Sequence, residues 1–425
     1  MAKMSFLYLP LVFSFLSLFI ITVNSISPID FAALRQIRNS LTDIPSSSSA
    51  AARFFSSWNF SSSAADPCSS FAGVTCSPTT SRVTILTLGT GLSDAPGLAG
   101  TLSPAVSHLT ELTQLILFAG IVTGPIPPQL SYLHNLRVIS LTNNRFTGDI
   151  PAGIFSLPNL HTLDLSRNHL SGELPPAMPA LNNLKVLVLA NNKLSGELPR
   201  LFPDHLLHLD LSRNFLSGTL PPHMPPALRY LSVANNRMWG GIDNNGGLES
   251  LSELAYLDLS ANQFSGPIPE YLFRRPSISI TSILLQRNNF TGGVPQSPSS
   301  AVGSTVDLSH NFLTGELTTA LVGVEALFLN NNHLSGGVPE EYVESVEAGT
   351  MKTLYLQHNY ITGFPMEVGS VLPDTAAVCV SYNCMSAPPL GMAACPASAG
   401  VQLSRPAAQC SAFRNNSSSI STSWD

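Results

Sequence analysis

Leu136-Arg137-Val138-Ile139-Ser140-Leu141-Thr142-Asn143-Asn144-Arg145-Phe146-Thr147-Gly148-Asp149-Ile150-Pro151 decides the fold. Apolar residues stand at Leu136, Ile139 and Leu141, an asparagine follows at Asn144, and a Phe-Thr-Gly-Asp-Ile-Pro segment closes the unit. The same order returns at Leu160, Leu163, Leu165 and Asn168, and again at Leu184, Leu187, Leu189 and Asn192, so the asparagines fall 24 residues apart. Downstream the column continues through Asn214, Asn236, Asn262, Asn288, Asn311, Asn332 and Asn359, with spacings between 21 and 27 residues. Upstream, the slot 24 residues before Asn144 holds Gly120. An irregular first turn on Val83, Leu86 and Leu88 precedes it, with an insertion around Gly91 to Gly97. Twelve turns are counted in all.

Each element has a physical reason. The alternating apolar pair is a short parallel strand whose two large side chains point into the coil. One turn cannot bury them alone; stacked turns share one continuous core. The asparagine sits where the chain leaves the strand, and its amide can satisfy backbone groups that would otherwise be buried unpaired. The later segment, as in Leu170-Ser171-Gly172-Glu173-Leu174-Pro175 and Phe264-Ser265-Gly266-Pro267-Ile268-Pro269, turns its apolar residues inward. Its Gly permits a tight bend, and its Pro fixes an extended, donor-poor stretch. That side of the coil is expected to be irregular or 3₁₀ and not long helix. A length of 425 residues would otherwise suggest two or three domains; the repeat makes one elongated unit.

Composition narrows the setting. The chain is 44% hydrophobic and 11% charged, which is globular and not disordered. Its net charge of −6 argues against nucleic acid, since no basic stripe is present to neutralise phosphates. Residues 1–25 read as a signal peptide: Lys3 gives the positive start, Phe6 to Val23 is almost unbrokenly apolar, and Val23 and Ser25 suit cleavage before Ile26. An uncleaved anchor is the alternative. No later apolar run has the ~18 residues of a membrane span. Six cysteines flank the repeats, Cys68 and Cys76 before them and Cys379, Cys384, Cys395 and Cys410 after them. In an exported chain they imply disulfide-stapled caps, with zinc as the rival; three pairings of the quartet are open. Sequons at Asn59, Asn289, Asn415 and Asn416 are candidate glycosylation sites.

With these residues in view the chain resembles the plant-type leucine-rich-repeat proteins: receptor kinase ectodomains, receptor-like proteins and polygalacturonase-inhibiting proteins. The match covers roughly 27 to 410. It includes Ser27-Pro28-Ile29-Asp30 as a helix start, with Phe31, Leu34, Ile37 and Leu41 at helical spacing. Trp58, Asp66-Pro67-Cys68 and Gly73-Val74-Thr75-Cys76 complete the N-terminal cap. Ser381-Tyr382-Asn383-Cys384, Cys395-Pro396 and Arg405-Pro406 to Cys410 resemble a C-terminal one. The resemblance implies an α/β leucine-rich-repeat solenoid, a right-handed superhelix with a parallel β-sheet on its concave face. The expected divisions are an N-terminal cap over 26–82, repeats over 83–372, a Cys-rich cap over 373–411 and a polar tail over 412–425. Neither a transmembrane span nor a kinase domain is read in the sequence.

Function is then read from the columns that face out of the sheet. Residues between the strand leucines run Ile116, Ser140, Asp164, Val188, Asp210, Ser232, Asp258, Leu284, Asp307, Phe328 and Tyr355. The next column, Phe118 through Ser166, Gln286 and Gln357, is expected to be exposed, followed by one holding Arg167, Arg213 and Arg287. Apolar candidates for partner binding are Ile116, Phe118 and Val138 at one end and Phe328 and Tyr355 at the other. Polar candidates are Asp164, Asp210, Asp258 and Asp307 beside Arg167, Arg213 and Arg287; pairing among themselves is the plainer reading of these. The N-terminal apolar group could instead pack under the Gly91 to Gly97 insertion. Twelve strands at ~4.8 Å make a sheet roughly 50 Å long, enough for a macromolecular partner. No GxSxG elbow, HExxH pair, Walker loop or dinucleotide fingerprint is present, so no catalysis, cofactor or metal is expected. The expected role is a secreted recognition protein of the apoplast or cell wall, binding an extracellular protein or peptide in defence, signalling or inhibition of a wall-degrading enzyme. The alternatives are the ectodomain of a membrane receptor and a structural wall protein.

Overall fold

Alternation of buried and half-buried residues runs through most of the inner strands, as at Thr162–Asp164, Val186–Val188 and Thr305–Asp307. The computed structural model describes residues 26–44, 53–61, 66–91, 97–176, 178, 181–242, 247–274, 280–296, 302–366, 372–385, 395–400 and 402–410. The leader at 1–25, the tail with Asn415 and Asn416, and residues 92–96 of the insertion lie outside these. Among the described residues the inner strands form one 14-stranded sheet running from Val74–Cys76 to Ala377–Cys379. The first pairs antiparallel with Val83–Leu88 and every later pair is parallel, in matched register from turn to turn. Twelve of its strands are the twelve turns read from the pattern; Ala377–Cys379 adds another beyond Thr353–Tyr355. Leu136, Ile139, Leu141, Leu163, Leu165 and their equivalents are fully buried in one continuous core.

The asparagine column works as a hydrogen-bonded ladder. Asn168 Nδ2 donates to Leu141 O of the preceding turn (2.9 Å) and to Leu165 O of its own (3.1 Å), and its Oδ1 accepts from Phe146 N (3.0 Å). The same set recurs at Asn192, Asn214, Asn236, Asn262, Asn288 and Asn311. Asn383 continues it past the repeats, donating to Leu356 O and accepting from Ile361 N. Gly120 breaks the column for a steric reason: a Cβ there would sit 2.5 Å from Leu98 O and 2.9 Å from Leu98 N.

The outer side is more ordered than the repeat suggests. The Gly of the second segment lies in the left-handed region, as at Gly148 (φ 77°), Gly172 (φ 80°) and Gly266 (φ 81°). The extended residues around it pair with the next turn as short parallel strands, for instance Arg145–Asp149 with His169–Ser171. Behind them run 3₁₀ turns such as Pro128–Tyr132 and Ala152–Ser156, and one helix, Glu340–Glu347, whose Glu340 and Glu341 are exposed in its first turn.

At the N-terminal end the helix Pro28–Ser40 buries Ala33, Leu34 and Ile37, while Phe31 lies edge-on to Phe60 under Arg35. Asp30, fully buried, takes Arg82 Nε and Nη2 at 2.8–3.0 Å and Val83 N at 2.8 Å, bolting the helix to the first strand of the coil. Disulfides join Cys68–Cys76, Cys379–Cys395 and Cys384–Cys410. The quartet's pairing is thereby fixed, and with its four sulfurs joined in two disulfides the zinc reading is discarded.

Candidate recognition face

Strand alternation turns Asp164, Val188, Asp210, Ser232, Asp258, Leu284, Asp307, Phe328 and Tyr355 onto the concave face, and the register aligns them as one row. Asp therefore stands in every second turn from Asp164 to Asp307. Each of these aspartates folds back on its own turn: Oδ1 accepts from the N–H of Ser166, Ser212, Ser260 and Ser309 respectively, all at 3.0 Å. That bond explains why Asp is favoured at the position, and it engages one carboxylate oxygen of two. Burial pushes the Asp307 carboxyl above its usual range, against the opposing pull of Ser309 and the positive charges nearby.

The arginines do not pair with these aspartates. The four ion pairs among the described residues are Arg82–Asp30, Arg229–Glu253, Arg274–Glu270 and Lys352–Glu325. Arg167, Arg213 and Arg287 occupy left-handed backbone positions (φ 55°, 55° and 59°) shared by Asn143, Asn191, Asn235, His310, Asn331 and His358. Such φ values favour Asn, and the Asn-Asn pairs at 143–144, 191–192, 235–236 and 331–332 are their sequence trace. The backbone turns there, so Arg167 and Arg213 line an open flank groove of about 660 Å³ with Arg145 and His169. Arg287 lines a second, of about 600 Å³, with His310, Phe312 and Tyr360. The sequence places the two charge columns side by side; the structure puts them on adjoining surfaces.

The column after the second leucine, expected to be exposed, is mostly buried: Ser166, Ala190, Ala234, Ser260, Ser309, Asn330 and Gln357 all lie within it. Phe118 is half-buried, and a Cβ added at Gly91 would lie 2.9 Å from its ring, so it packs beneath the start of the insertion. Ile116 and Val138 are half-buried neighbours in the sheet, beside Ser140 and Gln114. Phe328 and Tyr355 are register partners with rings edge-to-face at 5.3 Å.

One group was not singled out by sequence reasoning. In the column before the strand leucine, His208, Tyr230 and Tyr256 stack face to face at 4.1 and 4.4 Å, within 7° of parallel. Writing that column out turn by turn (Val186, His208, Tyr230, Tyr256, Ser282) is the signal that finds it. Burial lowers the His208 pKa, opposed by Asp210 and Asp164, and burial with Asp210 nearby pushes the Tyr230 phenol far above its ordinary range. Tyr256 is raised in the same sense, first by burial and then by Asp258. The face thus presents aromatic edges and phenols beside a row of carboxylates.

The model of the leucine-rich-repeat N-terminal domain matches residues 27–77, and leucine-rich-repeat models match 134–194, 205–226 and 253–274. The chain carries the N-terminal domain and the leucine-rich repeats found in the plant-type leucine-rich-repeat proteins, which it resembles. It is 28% identical over 161 residues to receptor-like protein 35 of Arabidopsis thaliana, covering 37% of this chain and 16% of the relative. It is 34% identical over 122 residues to receptor-like protein 18 of the same plant, covering 27% of this chain and 14% of the relative. Among solved structures, the Arabidopsis receptor kinase HAESA in complex with the peptide hormone IDA and the co-receptor SERK1 superposes with a TM-score of 0.67 at 29% identity, over 84% of this chain and 58% of that one. These alignments span at most 16% of the two curated relatives' length. No helix among the described residues is long and apolar enough to cross a membrane.

Proposed function

We propose that this leucine-rich-repeat solenoid is a secreted, non-enzymatic recognition protein that binds an extracellular protein or peptide on its concave face. The observation that carries the reading is the long sheet face itself, set with half-buried aromatic rings and carboxylates that no ion pair among the described residues compensates. Rigid rings half sunk in a surface are the usual anchors of an interface. HAESA, a receptor with a similar solenoid, is solved with a peptide hormone bound, which supports a peptide or protein ligand here. Signalling, defence and inhibition of a wall-degrading enzyme are all served by such a face.

The test is capture from extracellular wash fluid with the purified chain as bait. A partner should be retained by the native chain and lost, at least ten-fold, by the Phe328→Ala/Tyr355→Ala double variant with unchanged melting. Equal retention refutes the chosen surface. A second reading, the ectodomain of a membrane receptor, is favoured by the receptor-like proteins among the relatives. Fractionation separates the two: recovery with membranes after a high-salt wash supports the second, and recovery in extracellular fluid the first.

A further inference from the structure

The aspartate row has a period that selects a ligand geometry. Asp164, Asp210, Asp258 and Asp307 stand in every second strand of a register without slips, with Val188, Ser232 and Leu284 between them. Strands lie ~4.8 Å apart, so successive aspartates are ~9.6 Å apart along the coil. A chain running along that axis must bring the same side round at this interval. A polyproline-II helix does so every three residues, at ~3.1 Å each or ~9.3 Å. The mismatch is ~0.3 Å per interval and ~1 Å over the three intervals. A β-strand returns its face at ~6.8 and ~13.6 Å and misses the row. An α-helix returns after seven residues, at ~10.5 Å, and drifts by nearly 3 Å over the same span.

The surroundings suit the same ligand. His208, Tyr230 and Tyr256 form a rail of ring edges beside Asp210 and Asp258, and the Phe328–Tyr355 pair lies beyond Asp307. Aromatic-lined grooves are the common receptor for polyproline-II segments. Among the described residues no ion pair consumes the charge of the row.

We infer that the concave face binds a polyproline-II peptide carrying a basic side chain at every third residue, each cation meeting one aspartate of the Asp164–Asp307 row. The inference rests on the concave face being the recognition surface. It is tested by fluorescence anisotropy on the full chain near physiological salt with three labelled twelve-residue peptides. One is a fourfold Lys-Pro-Pro repeat; the others hold the same four Lys and eight Pro with the Lys contiguous or at every second position among the first eight residues. The Lys-Pro-Pro repeat should bind at least ten-fold tighter than either control. The double variant Asp210→Asn/Asp258→Asn keeps the Oδ1 acceptors of its turns and should erase that preference while melting as the native chain does. Equal affinity for the three peptides, or an undiminished preference in the variant, overturns the inference. If the peptides fail while the Phe328→Ala/Tyr355→Ala variant still loses its captured partner, the period argument is refuted and the broader reading of the face survives.

Discussion

Replacing Asn214 by Ala should cost about 2–4 kcal/mol of folding stability, and the hydrogen-bond pattern says where the loss arises. Asn214 is 5% exposed; its Oδ1 accepts from Leu194 N at 3.0 Å, and its Nδ2 donates to Leu189 O at 3.0 Å and Leu211 O at 3.1 Å. The two carbonyls do not become orphans when the side chain is removed. Leu189 O keeps the amide of Asn192 and Leu211 O keeps that of Asn236, both at 3.0 Å. Leu194 N has no second acceptor among the described residues, and an unpaired buried N–H costs roughly 1–3 kcal/mol. The lost donations, including the longer one to Ser212 O (3.2 Å), which keeps the amide of Asn191 at 2.9 Å, are all to carbonyls that remain bonded and add about 1 kcal/mol together. Asn214→Asp separates this account from one based on packing alone. Asp retains the Oδ1 acceptor and the shape, but turns a second oxygen onto two carbonyls and buries a charge without a counterion, so it should be worse than Ala. Urea unfolding followed by circular dichroism is the assay, with the exposed Lys193→Ala as control. With a slope of about 3 kcal/mol/M, the Ala midpoint should fall by roughly 0.7–1.3 M at unchanged slope. An Ala midpoint equal to the control, or an Asp variant milder than Ala, refutes the ladder argument.

Asp30→Ala should destabilise the N-terminal end by about 3–5 kcal/mol, since it strands Arg82 and the Val83 N–H; faster amide exchange at Val83 is the local readout, and native exchange there contradicts the prediction. Gly120→Asn restores the repeat's own residue yet should lower stability by about 1–3 kcal/mol, because its Cβ meets Leu98 O and N; a melting temperature at or above the native value sinks it. His208, with its pKa depressed by burial, contributes stability that is present above its ordinary value of about 6.5 and lost as pH falls through that value toward the depressed one. Native chain minus His208→Gln should show that loss between pH 7 and 5, and a pH-independent difference contradicts it.

The parts of the fold legible in the sequence are those in which each turn repeats the same chemistry. A leucine or asparagine with one role in every coil leaves a period, and the strands, core and ladder follow from it. Asp30 and Arg82 have no period: they meet across 52 residues because a cap helix docks on the first strand, and nothing local announces the pair. The outer strands were hidden for another reason, since Gly and Pro at fixed places read as irregular chain until a neighbouring turn supplies hydrogen-bond partners. The left-handed column left a trace in its Asn-Asn pairs, but Arg and His occupy the same backbone and blur it. The site was less legible still. Stacking of His208 on Tyr230 and Tyr256 joins residues 22 and 26 positions apart, visible only once the register is known.

The ladder also explains how a face of changing chemistry stands on an unchanging frame. In the turns that carry it, the asparagine settles the backbone from inside together with the strand leucines, through bonds that involve none of the outward side chains. The aspartates of the concave row make a further bond within the turn, yet Val188, Ser232 and Leu284 occupy the same position in the intervening turns, and Phe328 in the turn after Asp307, without shifting the register. That position is therefore not required to be Asp by the coil. Its alternation between Asp164 and Asp307 is not dictated by the backbone, and on the inference above a ligand with a matching repeat accounts for it.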